Sequence, residues 1–156
     1  MNSSSPERGG GPSEADGEGG WRGRHGLGPL FLLLILCQAA HSVEEYLFRL
    51  YDVFAPALHV STMLGLPPPL GFAIDNILLV LFGLWCWFAR VRHGRPGARG
   101  LAWFWALLET ANGVGHISFA LAARGYFPGL ATAPLLLGLG ACLMVRLVRT
   151  SNVAPA

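Results

Sequence analysis

The sequence contains no lysine and few charged residues of any kind. Charged side chains make up 13% of the 156 residues, about half of the roughly 25% found in an average soluble domain. The eleven basic residues are all arginines, and the formal net charge is only +2. This small positive excess gives no support to a nucleic-acid partner, because such binding depends on clustered basic side chains.

Cysteine is also scarce, since the chain has three residues of this type. Cys37, Cys86 and Cys142 lie in three separate apolar segments, so we do not expect a framework of disulfide bonds. Cys37 is one helical turn from His41 and could act as a ligand, but a small apolar filler is the simpler interpretation.

The sequence shows no alternation of period two between turn residues, which excludes a strand-rich fold. Instead, apolar residues reach 53% and collect in segments of about 20 residues, long enough to cross a ~30 Å hydrocarbon core as helices. We therefore predict an all-α fold, a polytopic four-helix bundle in a lipid bilayer formed by residues 27–149. The expected spans are residues 27–49, 70–90, 101–123 and 130–148.

The two ends of the chain differ from this apolar region. Residues 1–26 are rich in glycine and nearly free of aliphatic side chains, which predicts a disordered tail. Residues 150–156 form a short C-terminal tail. A signal peptide over residues 21–40 is an alternative, but apolar sequence resumes at Val43 and continues.

The distribution of arginine predicts the orientation. Four spans would place both termini and the loop at residues 90–100 on one side, with nine arginines, and leave Arg49 and Arg124 on the other. By the positive-inside rule both termini are cytoplasmic, in a multi-pass protein of the cell membrane. The nine are Arg8, Arg22, Arg24, Arg90, Arg92, Arg95, Arg99, Arg146 and Arg149.

Polar residues interrupt the first span at one level. His41, Glu44 and Glu45 are spaced i, i+3 and i+4, which places them on one helix face. Counting the helical rise, His41 lies about 21 Å from the cytoplasmic end and His116 of the third span about 22 Å from it. Asp75 of the second span falls near the same level, although it could also cap a helix.

The third span carries a second polar face, formed by Glu109, Asn112 and His116 at i, i+3 and i+7. Gly113 and Gly115 lie among them and would let a neighbouring helix approach closely. Ionisable groups inside a membrane cost several kcal/mol each unless they are paired, hydrated or metal-bound. The two faces are therefore expected to meet inside the bundle.

The same residues carry a family resemblance. HSVEE at residues 41–45 resembles the HxxEE motif that names a family of small bacterial and archaeal membrane proteins of unknown function. NGVGH at residues 112–116 and YFPG at residues 126–129 resemble the NxxxH and YxPG motifs of that family. The resemblance covers about residues 30–148 and implies no established reaction. It does imply a common site near the YFPG turn, made of His41, Glu44, Glu45, Asn112 and His116.

One hypothesis for this site is a metal-dependent enzyme that acts within the membrane on a lipid-like or apolar small molecule. Histidine and carboxylate one helical turn apart can hold zinc or iron. The predicted ligands are His41, Glu45, Glu109 and His116, and the predicted catalytic residues are Glu44, as the base, and Asn112. A di-iron bundle fits less well, because such sites use Glu-x-x-His and this chain has the reverse order.

Three alternatives stay open at the level of sequence. Adjacent Glu44 and Glu45 would not both ionise easily in a low dielectric, so metal-free acid–base catalysis, as in an isomerase or cyclase, is one. A proton-coupled transporter is another, since buried His and Glu relay protons. The third is a structural polar network that fixes helix packing. The sequence leaves the oligomeric state open.

Overall fold

The computed structural model describes residues 26–151, and this part of the chain is all-α, as predicted. The expected disordered tail at residues 1–26 lies outside the described residues except for Gly26, and so does most of the expected C-terminal tail. A π-helical turn, Trp87–Val91, extends the fourth helix. The helices are α1 Leu27–Leu47, α2 Leu50–Val53, α3 Ala55–Met63, α4 Pro68–Cys86, α5 Ala98–Ala123 and α6 Ala133–Ser151.

Three stretches of helix are long and apolar enough to cross a membrane: Leu27–Leu47, Pro68–Val91 and Ala133–Thr150, with mean hydropathies of 1.5, 1.9 and 1.5. They indicate a lipid-bilayer setting. The remaining long helix, α5, has 26 residues and would extend about 39 Å. Its polar residues lower its hydropathy, so a fourth crossing stays a prediction.

The ends of the described chain and the loop between α4 and α5 lie at one end of the bundle. Nε1 of Trp87 donates to the carbonyl oxygen of Gly28 at 3.1 Å, and Arg146 donates to the carbonyl oxygen of Gly26 at 3.3 Å. We call this the terminal end and the opposite one the far end. An apolar core fills the half nearer the terminal end, and Cys37 and Cys86 belong to it as free thiols. Its fully buried large side chains are Phe31, Leu34, Ile35, Trp105, Leu136, Leu143 and Leu147.

Helices α5 and α6 form the most closely packed pair, and two glycines permit this. A Cβ at Gly113 would lie 2.7 Å from the carbonyl oxygen of Ala133, and one at Gly140 would lie 2.5 Å from Oγ1 of Thr110. Gly113 therefore acts as predicted. A Cβ at Gly115 would meet no atom within 4 Å, so this glycine serves no helix contact among the described residues.

Two connections cover the far end. The first folds into α2 and α3, where Leu50 and Tyr51 pack with Phe72 of α4 in a small apolar cluster that also contacts Phe54 and Phe127. The second joins α5 to α6 over residues 124–132; we call it the α5–α6 loop. The loop and the start of α3 thereby lie next to the polar faces of α1 and α5.

Candidate metal centre

Helices α1 and α5 bring two histidines and one carboxylate together. Oε1 of Glu45 lies 3.0 Å from Nε2 of His116 and 3.3 Å from Nε2 of His41. The imidazole centroids are 4.7 Å apart and the rings are nearly perpendicular, at 88°. His41 is 0% exposed, and Glu45 and His116 are each 6% exposed. We call these residues the His/Glu trio; their ligand atoms all lie within 4.8 Å of one another.

The carbonyl oxygen of Pro128 fixes the proton on His116. Nδ1 of His116 lies 2.6 Å from this oxygen, which can only accept a hydrogen bond. Nδ1 must therefore carry a hydrogen. In the neutral imidazole, Nε2 then presents a lone pair toward Glu45.

Thr132 fixes the proton on His41 in the same way. Nδ1 of His41 lies 2.6 Å from Oγ1 of Thr132, and that oxygen lies 2.5 Å from Oε2 of Glu44. The single hydroxyl proton of Thr132 is donated to the carboxylate, so Nδ1 of His41 must donate to the hydroxyl oxygen. Nε2 of His41 again keeps its lone pair, and this buried atom has no hydrogen-bond partner within residues 26–151.

Glu44 lies beside the trio and binds the α5–α6 loop. Its Oε1 accepts from the hydroxyl of Tyr126 at 2.5 Å and from the backbone N–H of Ala131 at 2.9 Å. Its Oε2 accepts from the backbone N–H of Thr132 at 2.9 Å as well as from the hydroxyl of that residue. Four donors match the capacity of an ionised carboxylate. Burial and the bond to Glu44 raise the pKa of Tyr126, outside the spans, to about 12.

Gly129 packs against both histidine rings. Its φ is +92°, and a Cβ there would lie 2.6 Å from Nδ1 of His116 and 2.7 Å from Cε1 of His41. Only glycine satisfies both conditions. The YFPG segment thus supplies a hydroxyl to Glu44, a carbonyl to His116 and a contact surface for both imidazoles.

Glu109 is fully buried on α5 but does not join the trio. Neither of its carboxylate oxygens has a hydrogen-bond partner in the described part of the chain. The predicted role of Glu109 as a ligand stays a prediction, and so does that of Glu44 as a base.

Asn112 joins a hydrogen-bonded chain that crosses from α5 to α1. Its Nδ2 donates to Oε1 of Gln38 at 3.4 Å, and Nε2 of Gln38 donates to Oγ of Ser42 at 3.1 Å. Gln38 is not among the residues predicted for the site, although a glutamine in an apolar span one turn before His41 is a usable signal.

The chain continues from α1 to α4 through Asn76 rather than Asp75. Oγ of Ser42 donates to Oδ1 of Asn76 at 2.5 Å, and Nδ2 of Asn76 donates to the carbonyl oxygen of Phe72 at 3.0 Å. Asp75 is half-buried and takes part in none of these bonds. The polar layer expected on three helices therefore exists, and α4 contributes Asn76 to its hydrogen bonds.

Two cavities adjoin this polar layer. One of about 210 Å³ borders His116 and Asn112 and is lined by Phe54, Ala111, Asn112, Gly115, His116 and Phe119; we call it the α5 cavity. A larger groove of about 390 Å³ lies between α1 and α4, with an almost entirely apolar lining apart from Ser42 and Asn76.

Comparison with known families agrees with this geometry. The model of a family described as "Protein of unknown function with HXXEE motif" matches residues 32–144. The chain belongs to this family. No curated protein and no solved structure matches the chain. The HXXEE motif here has divided roles, since His41 and Glu45 belong to the trio whereas Glu44 binds the α5–α6 loop.

Proposed function

We propose that the His/Glu trio binds one divalent metal ion, zinc or iron, and that the protein is a metal-dependent enzyme acting within the membrane on an apolar small molecule. One observation supports this most directly. Nε2 of His41, Nε2 of His116 and Oε1 of Glu45 converge within 4.8 Å. Because Nδ1 of each histidine carries the ring hydrogen, in bonds to Pro128 and Thr132, both Nε2 atoms have lone pairs. These two atoms and Oε1 of Glu45 are therefore all hydrogen-bond acceptors.

Such a cluster of acceptors is unfavourable without a cation. The lone pairs of Nε2 of His116 and Nε2 of His41 lie 3.0 and 3.3 Å from Oε1 of Glu45, and each is repelled by that oxygen. A single proton on Nε2 of His116 would relieve the 3.0 Å contact but leave Nε2 of His41 facing the same oxygen at 3.3 Å. Protonation of both Nε2 atoms would place two imidazolium rings 4.7 Å apart in a buried site, which desolvation opposes. A divalent cation removes the conflict, because its charge of +2 balances the two carboxylates of Glu45 and Glu44.

The donor set also fits a catalytic rather than a structural metal. Structural zinc sites have four protein ligands, whereas catalytic sites keep three and leave a position open. Two histidines and one carboxylate are typical of catalytic zinc and of non-haem iron. A metal in such a site supplies a Lewis acid and activates a bound water or substrate oxygen.

The surrounding residues hold the trio in place. Thr132 and Glu44 orient the ring of His41, and the carbonyl oxygen of Pro128 orients that of His116. Ring N–H groups bonded to a carboxylate or carbonyl are the usual support of metal-ligating histidines. We therefore assign Glu44 a positioning role. A part for Glu109 in the reaction rests on its full burial on α5 and on the lack of a hydrogen-bond partner for its carboxylate oxygens among residues 26–151.

We also propose that α5 crosses the membrane, which brings the number of spans to four, and that both termini are cytoplasmic. The polar residues that lower its hydropathy, Glu109 and His116, are buried inside the bundle and do not face lipid. An even number of crossings agrees with the arginine-rich loop and both helix ends lying at the terminal end.

The decisive experiment is the metal content of the detergent-purified protein, measured by inductively coupled plasma mass spectrometry. We expect about one metal ion per chain, as three protein ligands would bind, and loss of it in His41→Ala, Glu45→Gln and His116→Ala. His59→Ala is the matched control, because His59 is exposed on α3 outside the trio.

Two results would contradict the proposal. Wild-type protein purified without chelator and still free of metal would exclude it and favour metal-free acid–base chemistry. Metal retained in the double variant His41→Ala, Glu45→Gln would place the ion elsewhere. Monodisperse elution of each variant shows that metal loss is not a consequence of unfolding.

A further inference from the structure

We propose that the α5 cavity is the substrate compartment of the His/Glu trio, and that it receives an apolar molecule with one hydrogen-bond-donating group, such as an alcohol, from the bilayer. This inference rests on the proposed function, since it names the substrate class of that site. The first observation is adjacency. His116 belongs both to the trio and to the cavity wall.

The cavity wall combines apolar surface with few polar groups. Phe54, Phe119, Ala111 and Gly115 form most of it, and Asn112 and His116 are the polar contributors. Phe54 and Phe119 meet at a ring-centroid distance of 5.9 Å. An apolar pocket with a small number of placed polar groups is the usual form of a small-molecule site.

Asn112 determines which polar group the cavity would accept. Its Nδ2 is engaged with Oε1 of Gln38 at 3.4 Å. The orientation of Gln38 is set in turn by Ser42, which donates its single hydroxyl proton to Oδ1 of Asn76 and so can only accept from Nε2 of Gln38. No residue in the described range donates to Oδ1 of Asn112, which therefore remains an acceptor. A hydroxyl or amine matches this acceptor, whereas a ketone, an ester or a second carboxylate does not.

Position and size agree with entry from the membrane. Ala111 and Phe119 are exposed on the side of α5, about 20 Å and 31 Å along the helix from its first residue. The cavity therefore opens sideways in the half of the bundle near the far end. Its volume of about 210 Å³ is below the ~300–1,000 Å³ of sites that enclose a drug-sized ligand. It suits a short molecule, or the polar end of a longer one whose chain stays in lipid.

Gly115 gives a way to close the cavity without disturbing the helices. A side chain there would begin in open space, since a Cβ meets no atom within 4 Å. Gly138 on α6 is equally open and is exposed away from the cavity lining. Gly115→Phe and Gly138→Phe are therefore a matched pair, because each adds the same bulk to a helix.

The experiment uses photolabelling of the purified full chain with azioctanol, a diazirine derivative of octanol, and with its hydroxyl-free counterpart azioctane. Labelled residues are located by mass spectrometry. We expect azioctanol to label Ala111, Phe119 or Phe54 and to lose this labelling in Gly115→Phe but not in Gly138→Phe. We expect azioctanol to exceed azioctane by roughly two- to tenfold in wild type, the range that one net hydrogen bond supports. Asn112→Leu should remove this preference.

The outcomes separate this inference from the metal proposal. Absence of label at the cavity, or label that persists unchanged in Gly115→Phe, would overturn the compartment. Equal labelling by the two probes in wild type would overturn selection of a donor group by Asn112.

Glu45→Gln should lose metal yet keep the label, because no cavity wall residue is changed. A protein without metal but with the expected labelling would therefore refute the metal centre alone. Retained metal in Gly115→Phe shows that the site still folds.

Discussion

Nδ1 of His116 lies 2.6 Å from the carbonyl oxygen of Pro128, and this one contact fixes both the tautomer and the ring plane of a buried histidine. A backbone carbonyl cannot be removed by mutating its own side chain. The accessible way to disturb it is the next residue, Gly129, whose backbone conformation aims the peptide at the ring.

Gly129→Ala should therefore weaken the metal site without removing a ligand. The left-handed φ of +92° is unfavourable for alanine by roughly 1–2 kcal/mol. The added methyl would also meet both imidazoles, at 2.6 and 2.7 Å. We expect a large loss of bound metal and a lower melting temperature. Gly125→Ala is the control, since its nearest contact would be at 3.8 Å. Wild-type metal content in Gly129→Ala would show that the loop does not position the histidines.

Glu44→Gln tests whether this residue positions the trio. The side-chain amide of glutamine would place an NH2 group against the N–H and O–H donors of the α5–α6 loop. At least one buried N–H would then lack an acceptor, which should lower the free energy of unfolding by about 1–3 kcal/mol. Metal affinity, measured by competition with a chromophoric chelator, should fall about 10- to 100-fold, as for other residues that support a ligand.

Thr132→Val supplies the companion measurement. It breaks the path from Glu44 to His41 but leaves the bonds of Glu44 to Tyr126 and Ala131. We expect a comparable fall in metal affinity with a smaller loss of stability. Unchanged affinity in both variants would remove the positioning role and leave the catalytic role predicted for Glu44 from sequence.

Tyr126 should ionise late in an alkaline titration. Its folded pKa of about 12 lies above the ordinary value of 10.0, so the protonated phenol is favoured in the folded protein. Its contribution to stability is complete below pH 10 and is lost as the pH rises toward 12. Tyrosinate absorbance should show one late transition that disappears in Tyr126→Phe and moves earlier in Glu44→Gln. Ionisation of every tyrosine together near the ordinary value would argue against the bond to Glu44.

The number of crossings can be measured with reporters in the loops on either side of α5. Four crossings place Gly94 in the cytoplasm and Gly125 outside. If α5 does not cross, both positions report the same side. A reporter near Pro67 should also read outside, and one following α6 should read cytoplasm. Opposite readings at all four positions would show that the orientation is inverted. Identical readings at Gly94 and Gly125 would show that α5 does not cross and that the protein has three crossings.

The sequence predicts the site residues well where their positions depend only on the regular geometry of a helix. The i, i+4 spacing placed His41 and Glu45 on one face, and counting helical rise placed His116 at the same level as His41. Glu109 lies on the face of His116, two turns away, yet it does not reach the trio. Residue spacing predicts which side chains share a face of a helix. It does not predict which of them contact side chains of the neighbouring helix.

The parts that sequence reasoning missed depend on loops. Thr132 and the carbonyl of Pro128 reach the histidines because the α5–α6 loop folds back over them, and no periodic pattern encodes such a path. The helices α2 and α3 lie between the first two expected spans, where the sequence pattern predicts no helix, for a similar reason. Their short length gives little periodicity, and their position depends on packing against Phe72.

The close packing of α5 against α6 through Gly113 and Gly140 has a consequence for how the protein is made. During synthesis α1 is made before α5 and α6, so His41, Glu44 and Glu45 enter the bilayer before their partners on α5 and in the α5–α6 loop exist. Those partners arrive only with the hairpin of α5 and α6, whose two helices pack together at Gly113 and Gly140. Insertion of α1 is therefore temporarily unfavourable, and the centre can assemble only after α5 and α6 have been made. A nascent chain that stops before α6 would therefore hold the polar face of α1 in the bilayer without the partners that the α5–α6 loop supplies.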